Sequence, residues 1–206
     1  MNCVECKKRD KKIKILQHQL SIFKQKCREL QNKLNELIAH PTMLAGIRGE
    51  ELIANIAKAA RAKQGAPYDI KLKNGEKVEV KFSKITYPNR TNSKRWVWNG
   101  ITGERGDKGY DYLVLIGEKD NEYYKYEDDN SNYIFFLLRK KDIKQVIAPR
   151  GKRGYIFLNI LPQTTRSPYG KKLWEFKVSK EEIYNFFENI KVTSQKVRAN
   201  SKNGEK

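Results

Sequence analysis

The chain has 206 residues, enough for one domain with a sizeable core and an appended segment. Hydrophobic residues make up 38% and charged residues 33%, a polar but globular balance. Lysine and arginine outnumber aspartate and glutamate by 43 to 24, and the net charge is +19. A field of this sign attracts polyanions, nucleic acid first, although a lysine-rich background that makes every surface basic is the alternative.

Membrane and secretory classes are not favoured by the sequence. No apolar run is long enough to span a bilayer, and the N-terminal residues lack the hydrophobic stretch of a signal peptide. We therefore expect a soluble, cytoplasmic protein of bacterial or phage type with no membrane partner. The three cysteines are an odd number and do not form a disulfide framework.

The N-terminal residues 1–40 contain no glycine and carry apolar residues at alternating steps of three and four. These residues are Ile13, Leu16, Leu20, Phe23, Cys27, Leu30, Leu34 and Leu37. Such a heptad seam predicts a left-handed coiled coil that makes a homodimer through residues 13–37, in preference to an amphipathic helix packed on the domain. In a parallel pair no interhelical g–e′ contact joins like charges, so we expect the parallel arrangement.

A CxxC pair, Cys3 and Cys6, stands ahead of the predicted helix. One such pair is half of a structural zinc site, and two parallel chains would supply four thiolates. The arrangement resembles the zinc hook of coiled-coil DNA-repair ATPases. We therefore expect an interchain Zn²⁺ site, with two free thiols as the alternative.

Residues 42–191 show the element order of a mixed α/β domain. We predict a helix over 47–63, strands over 68–72, 77–83, 111–117, 132–138 and 155–160, a short helix over 142–147, and a last helix from 179 to 190. A hairpin turn at Asn74-Gly75 joins the first two strands, and Ser179 with Glu182 forms a capping box. Residues 192–206 are polar and basic, so we expect a disordered tail.

Charged residues in the first two strands carry the chemistry. Glu79 and Lys81 lie two positions apart and therefore on the same side of one strand, and the tight turn brings Asp69 beside Glu79. Two carboxylates this close suit Mg²⁺, while a neighbouring lysine can orient or deprotonate water or offset charge on a phosphate. A carboxylate of the preceding helix, Glu50 or Glu51, can complete the site. The pattern indicates phosphodiester hydrolysis, and charged residues on a half-solvated strand are the alternative.

Three stretches, Gly46-Ile-Arg-Gly-Glu-Glu51, Pro67-Tyr-Asp69-Ile and Glu79-Val-Lys81, resemble the PD-(D/E)xK nuclease superfamily, which includes restriction endonucleases and Holliday-junction resolvases. Tyr68 separates Pro67 from Asp69, where the family motif has them adjacent. The resemblance covers residues 46–118 and implies a restriction-endonuclease-like α-β-β-β-α-β core with a mixed sheet. It also implies Asp69 and Glu79 as ligands of Mg²⁺, for which Mn²⁺ would substitute, and Lys81 as the catalytic lysine.

The same resemblance implies a helix acid that joins the metal ligands. We prefer Glu50 to Glu51, because Glu50 follows Gly49 and shares a helix face with Ile47 and Ile53.

A long basic and aromatic segment, residues 85–109, follows the catalytic strand. Together with Lys84 and a later cluster, it supplies the predicted DNA-binding residues Lys84, Tyr87, Arg90, Lys94, Arg95, Trp98, Arg105, Arg150, Lys152 and Arg153, with Lys108 as a further basic residue of the segment. Such residues suit phosphate contacts and base stacking. The alternative, which we expect for at least one of Trp96 and Trp98, is packing beneath the sheet.

These features together predict a homodimeric, Mg²⁺-dependent endonuclease that makes double-strand breaks in double-stranded DNA, most similar to a type II restriction enzyme. A homing endonuclease, a junction resolvase and a nuclease for RNA remain open. The rival from another class is a non-catalytic DNA-binding or scaffold dimer.

Overall fold

A computed structural model describes residues 4–39, 41–63, 65–87, 93–102, 108–120, 122, 131–148 and 154–190. The chain divides into two compact units, Met1–Leu44 and Ala45–Lys206. The helices are α1 (Val4–Ala39), α2 (Pro41–Ile56), α3 (Pro168–Trp174) and α4 (residues 180–190), with 3₁₀ turns at Lys140–Gln145 and Pro162–Thr164. The strands are β1 (Ala60–Arg61), β2 (Ile70–Lys71), β3 (Lys77–Ser83), β4 (Arg95–Asn99), β5 (Tyr112–Glu118), β6 (Tyr133–Arg139), β7 (Tyr155–Asn159) and β8 (Lys177–Val178).

Helix α1 is one uninterrupted helix of 36 residues, as the absence of glycine and proline predicts. Its described seam residues are exposed, from 49% for Ile13 and Leu34 to 66% for Phe23, and Cys27 is a free, exposed thiol. Pairing through this seam stays a prediction. The helix begins at Val4 and so includes Cys6, whereas Cys3 lies outside the described residues.

Six strands of the second unit form one mixed sheet in the order β1-β2-β3-β5-β6-β8. β3 and β5 run parallel, with Glu79 opposite Leu113, whereas the other neighbours run antiparallel. β4 and β7 pair antiparallel as a separate two-stranded ribbon. The predicted mixed α/β class is therefore confirmed.

The central sheet is covered on both sides. On one side Val80 and Val114 pack in a core with Ile53 of α2 and Phe187 of α4. On the other side, Trp96, Trp98 and Ile156 of the ribbon form a second core with Leu113 and Leu115 of β5. Both tryptophans are buried, which confirms the expectation made for at least one of them. A Cβ at Gly117 would lie 2.5 Å from the Trp96 ring, so only glycine allows this close approach.

The predictions for two helices, 47–63 and 142–147, were wrong in their limits. The first helix begins at Pro41, a favoured first helical residue, and ends at Ile56. Lys58 follows in the left-handed region with φ 48°, while the Ala59 amide donates to Ala54 O and the Lys58 amide to Asn55 O. This Schellman motif ends the helix without the usual glycine, so its sequence signal is absent. The short helix predicted over 142–147 is a 3₁₀ turn at Lys140–Gln145.

The capping box of the last helix is confirmed. The Ser179 amide donates to Glu182 Oε2 at 2.7 Å, and the Glu182 amide donates to Ser179 Oγ at 3.1 Å. The hydrogen bond from the Ser179 amide lowers the pKa of Glu182. The predicted tail, residues 192–206, lies outside the described residues. Within the described parts of the chain, no helix combines the length and the apolar composition needed to cross a bilayer.

Candidate active site

Asp69 lies just before β2 and is held from both sides by backbone hydrogen bonds. Its amide donates to Val78 O at 3.0 Å, and its carbonyl accepts from the Ala62 amide at 2.7 Å. The side chain is fixed too, because Oδ2 accepts from the Val80 amide at 2.7 Å. The antiparallel pairing of β2 with β3 therefore holds the Asp69 carboxylate against β3.

Glu79 is the most buried charged residue of the site, with 1% exposure. Its Oε1 accepts hydrogen bonds from Lys81 Nζ at 2.6 Å and from Lys108 Nζ at 2.5 Å. Its Oε2 is buried and has no hydrogen-bond partner among the described residues. A buried carboxylate oxygen without a donor is costly, so this atom is suited to a cation.

The charges of the site shift the pKa values of its members. Burial raises the pKa of Asp69 to about 6, and repulsion from Glu79 adds to this, while the Val80 amide and Lys81 oppose it. Burial lowers the pKa of Lys81, but attraction to Glu79 outweighs it, so the pKa lies above its ordinary value. The structure thus brings Asp69, Glu79 and Lys81 together, and their roles in catalysis stay predictions.

Replacing Asp69 with asparagine should stabilise the metal-free protein by on the order of 2 kcal/mol near pH 8, because the amide still accepts from the Val80 amide but carries no buried charge. The folded pKa of about 6 lies above the unfolded value, so the ionised carboxylate costs stability above that pH. The advantage of the variant should shrink as the pH falls from about 6 toward 4. Urea unfolding in EDTA at pH 8 and at pH 4 measures the difference in unfolding free energy between the two proteins. A difference that does not change with pH would contradict the electrostatic cause.

Glu50, the predicted helix acid, is tied to a residue that the sequence did not single out. Its Oε2 accepts from Arg61 of β1, at 3.0 Å from Nε and 2.5 Å from Nη2. Glu51 also pairs with Arg61, at 3.5 Å, and is the more exposed of the two acids. Glu50 contributes to the raised pKa of Asp69, so its charge reaches the site although its carboxylate is bound to a guanidinium.

The two carboxylates fit a divalent cation. In the described part of the chain no three His, Cys, Asp or Glu side chains cluster as a metal site. Mg²⁺, however, keeps several waters and is commonly bound by one or two carboxylates. Glu79 Oε2, which has no hydrogen-bond partner in the described part of the chain, and the Asp69 carboxylate, whose pKa the charge of Glu79 raises, supply such a donor set. Asp69 and Glu79 are therefore the residues that would hold the ion.

The predicted DNA-binding residues lie in different environments. Lys84 and Tyr87 are exposed. Lys94 pairs with Asp120 at 2.6 Å and with Glu122 at 3.2 Å, and these contacts raise its pKa, most of all the hydrogen bond that Lys94 donates to Asp120. Arg95 is partly buried in β4, where its Nε has no hydrogen-bond partner among the described residues. Arg90, Arg105, Arg150, Lys152 and Arg153 lie outside the described residues.

The predicted DNA contact of Trp98 is wrong for this structure. Its side chain is 1% exposed, because alternation along β4 turns it toward the central sheet. The ring packs against Trp96 and Phe136, with centroids 5.9 Å away in each case, and Nε1 donates to Ile116 O at 3.0 Å. Trp98 therefore serves the core that supports the ribbon.

Lys108 is the functional candidate that sequence reasoning passed over. It was counted among the basic residues of a loop, and no spacing links it to Glu79, 29 positions earlier. The contact arises because β5 pairs parallel with β3, which brings the residues ahead of β5 to the start of β3.

The chain matches no protein-family model and no curated protein.

Proposed function

We propose that the chain is a Mg²⁺-dependent DNA endonuclease that hydrolyses phosphodiester bonds, and that its second unit has a restriction-endonuclease-like core. The observation that carries the proposal is Glu79, a buried carboxylate with one oxygen that has no hydrogen-bond partner among the described residues. Its charge acts on Asp69, and its other oxygen lies 2.6 Å from the ammonium of Lys81. The net charge of +19 supports an anionic substrate. The chain order α2, β2, β3, β5 is compatible with the first four elements of that core, with β1 and the ribbon strand β4 inserted between them, whereas strand β6 follows β5 where that core has a helix.

Each side chain of the site has a role in this proposal. Asp69 and Glu79 hold the cation, and Lys81 orients the attacking water or offsets negative charge on the phosphate. A bound Mg²⁺ supplies a water of lowered pKa and positive charge next to the phosphate. Glu50 forms an ion pair with Arg61, and its charge helps to raise the pKa of Asp69. Lys84 and Tyr87, both exposed, are available for backbone or base contacts.

The dimer is part of the same proposal. Two copies paired in parallel through residues 13–37 give one enzyme two sites, as cutting both strands of a palindrome requires. Cys3 and Cys6 of both chains would then hold Zn²⁺ at the start of the paired helices. Zinc analysis of the wild type beside Cys3→Ser addresses this part separately, and a zinc-free wild type would rule it out.

The experiment that tests the proposal is plasmid cleavage in Mg²⁺ by the wild type, Asp69→Ala and Lys81→Ala. The wild type should convert supercoiled DNA to the linear form, whereas each variant should do so roughly 100-fold more slowly. Chelation by EDTA should stop the wild type. Equal cleavage by all three proteins, or cleavage by none of them, would contradict the catalytic assignment.

One observation favours a second candidate, a non-catalytic DNA-binding dimer. Glu50 is bound by Arg61, so in the described residues the cluster holds two carboxylates rather than three. In that case the wild type would bind duplex DNA with the same affinity as Asp69→Ala and would leave it uncut. A gel-shift assay run beside the cleavage assay separates the two candidates.

A further inference from the structure

Glu79 makes an unusual set of contacts for one buried carboxylate. Two ammonium groups, those of Lys81 and Lys108, both donate to Oε1, while Oε2 has no partner among the described residues. The lysine side chains are 25% and 27% exposed, so both reach the carboxylate from the solvent side. Two ammonium groups on one oxygen repel each other, so this arrangement is stable only while no other cation balances the carboxylate charge.

Charge counting explains why both are needed when no divalent ion is present. Asp69 and Glu79 place two carboxylates in a site with little exposure, and their repulsion contributes to the raised pKa of Asp69. Lys81 and Lys108 bring the formal charge of the four groups to zero. A divalent cation held by the carboxylates would raise this sum to +2, so the ammonium groups would no longer be needed to balance the two carboxylates.

The two lysines differ in how firmly they are placed. Lys81 lies within β3 and is held in the parallel ladder opposite Leu115. Lys108 lies outside any strand or helix, and its carbonyl accepts from the Tyr110 amide at 3.0 Å and from Lys140 Nζ at 3.1 Å. The lysine side chain beyond that anchor is long and flexible, so its ammonium group can turn toward solvent. Lys108 is therefore the ammonium that a cation displaces more readily.

We propose that Lys108 is an exchangeable counterion of Glu79: it holds this carboxylate in the metal-free protein and leaves it when a divalent cation binds. The inference rests on the proposed function in one respect, since the cation is the one that the endonuclease would use. It explains how a site can keep two buried carboxylates in place before its metal arrives. It also makes Lys108 a positioning residue for Glu79, distinct from Lys81.

Direct metal binding to the DNA-free protein tests the proposal. Lys108→Met keeps the length of the side chain but removes its charge, so Mn²⁺ no longer competes with an ammonium and should bind roughly tenfold more tightly in a calorimetric titration. Mg²⁺ should also raise the melting temperature of this variant more than that of the wild type. Lys108→Arg keeps the charge, and Lys73→Met removes an exposed charge in the β2–β3 turn, so both should titrate like the wild type.

The outcomes separate this inference from the nuclease proposal. Equal or weaker Mn²⁺ binding by Lys108→Met would overturn the counterion role and leave the cleavage result standing. A variant that is unfolded in EDTA but folds in Mg²⁺ supports the role, whereas one that stays unfolded in Mg²⁺ contradicts it, because the cation should replace the ammonium. Metal binding without plasmid cleavage contradicts the nuclease alone, and a wild type that binds no Mn²⁺ contradicts both.

Discussion

Glu79→Gln should lower the rate of Mg²⁺-dependent DNA cleavage by roughly 1000-fold, at the upper end of what removal of one active-site electrostatic group costs. Glutamine fills the same volume, so packing beneath the ribbon should survive. It removes, however, the buried anion that binds Lys81 and Lys108, and with it the oxygen best suited to a cation. The loss should fall on kcat, because the exposed basic residues that attract DNA are unchanged.

A mobility-shift assay in EDTA measures DNA binding, and a cleavage time course in Mg²⁺ measures the rate of cleavage. DNA affinity should stay within a few-fold of the wild type or increase slightly, since the variant loses one negative charge. Glu175→Gln is the matched control, because Glu175 is exposed and pairs only at the surface with Lys172 of α3 in the described residues. If DNA binding and cleavage fell together in Glu79→Gln, its role would be structural rather than catalytic.

The core of the candidate site could be predicted from local rules. Side chains two apart on a strand share a face, so Glu79 and Lys81 had to be neighbours once β3 was predicted. The Asn74-Gly75 signal then predicts a hairpin that brings the segment of Asp69 against β3, but not the register: a two-residue turn would place Ile70 opposite Glu79, whereas the observed loop of residues 73–75 places Ile70 opposite Val78. These inferences needed no knowledge of the remaining chain.

The partners that modify the site depend on long-range pairing and had no such signal. Arg61 reaches Glu50 because α2 ends early and the chain returns as β1, an ending set by the left-handed Lys58 where the sequence offers no glycine. Lys108 reaches Glu79 through the parallel pairing of β3 with β5, which the sequence leaves open. Ionic contacts across elements follow from topology, whereas the sequence patterns report only local structure.

The burial of the ribbon tryptophans also depends on contacts that are distant in the sequence. Trp96 and Trp98 alternate with partly buried residues, which is a strand signal, yet the basic residues around them favoured interpretation as a DNA-binding loop. In the structure, Trp96 and Trp98 share the buried face of β4. β4 turns both indoles toward the central sheet, with Trp96 packed over Gly117, so the two tryptophans belong to the core while Tyr87 of the predicted surface is exposed.

Replacing Leu16 and Leu20 of α1 with lysine should convert the proposed dimer to a monomer. Both side chains lie on the heptad seam and are exposed, at 54% and 52%, in the single chain. Each leucine that a partner buries contributes about 1.5–3 kcal/mol, and two are lost from each copy, so dimer affinity should fall by more than roughly 10,000-fold. Sedimentation measures the mass, and plasmid cleavage should shift from linear to nicked product, because one site cuts one strand.

The chain provides a matched control on the same helix. Ile15 and Ile22 are also exposed, at 50% and 43%, and each lies outside the seam. Ile15→Lys with Ile22→Lys therefore adds the same charge and removes the same kind of side chain, yet should leave the dimer and its linear product intact. Equal dissociation of the two double variants would show that α1 associates through a broad apolar surface instead of a heptad seam. A monomeric wild type that still linearises plasmid would remove the coiled coil from the mechanism and leave the metal site to act without it.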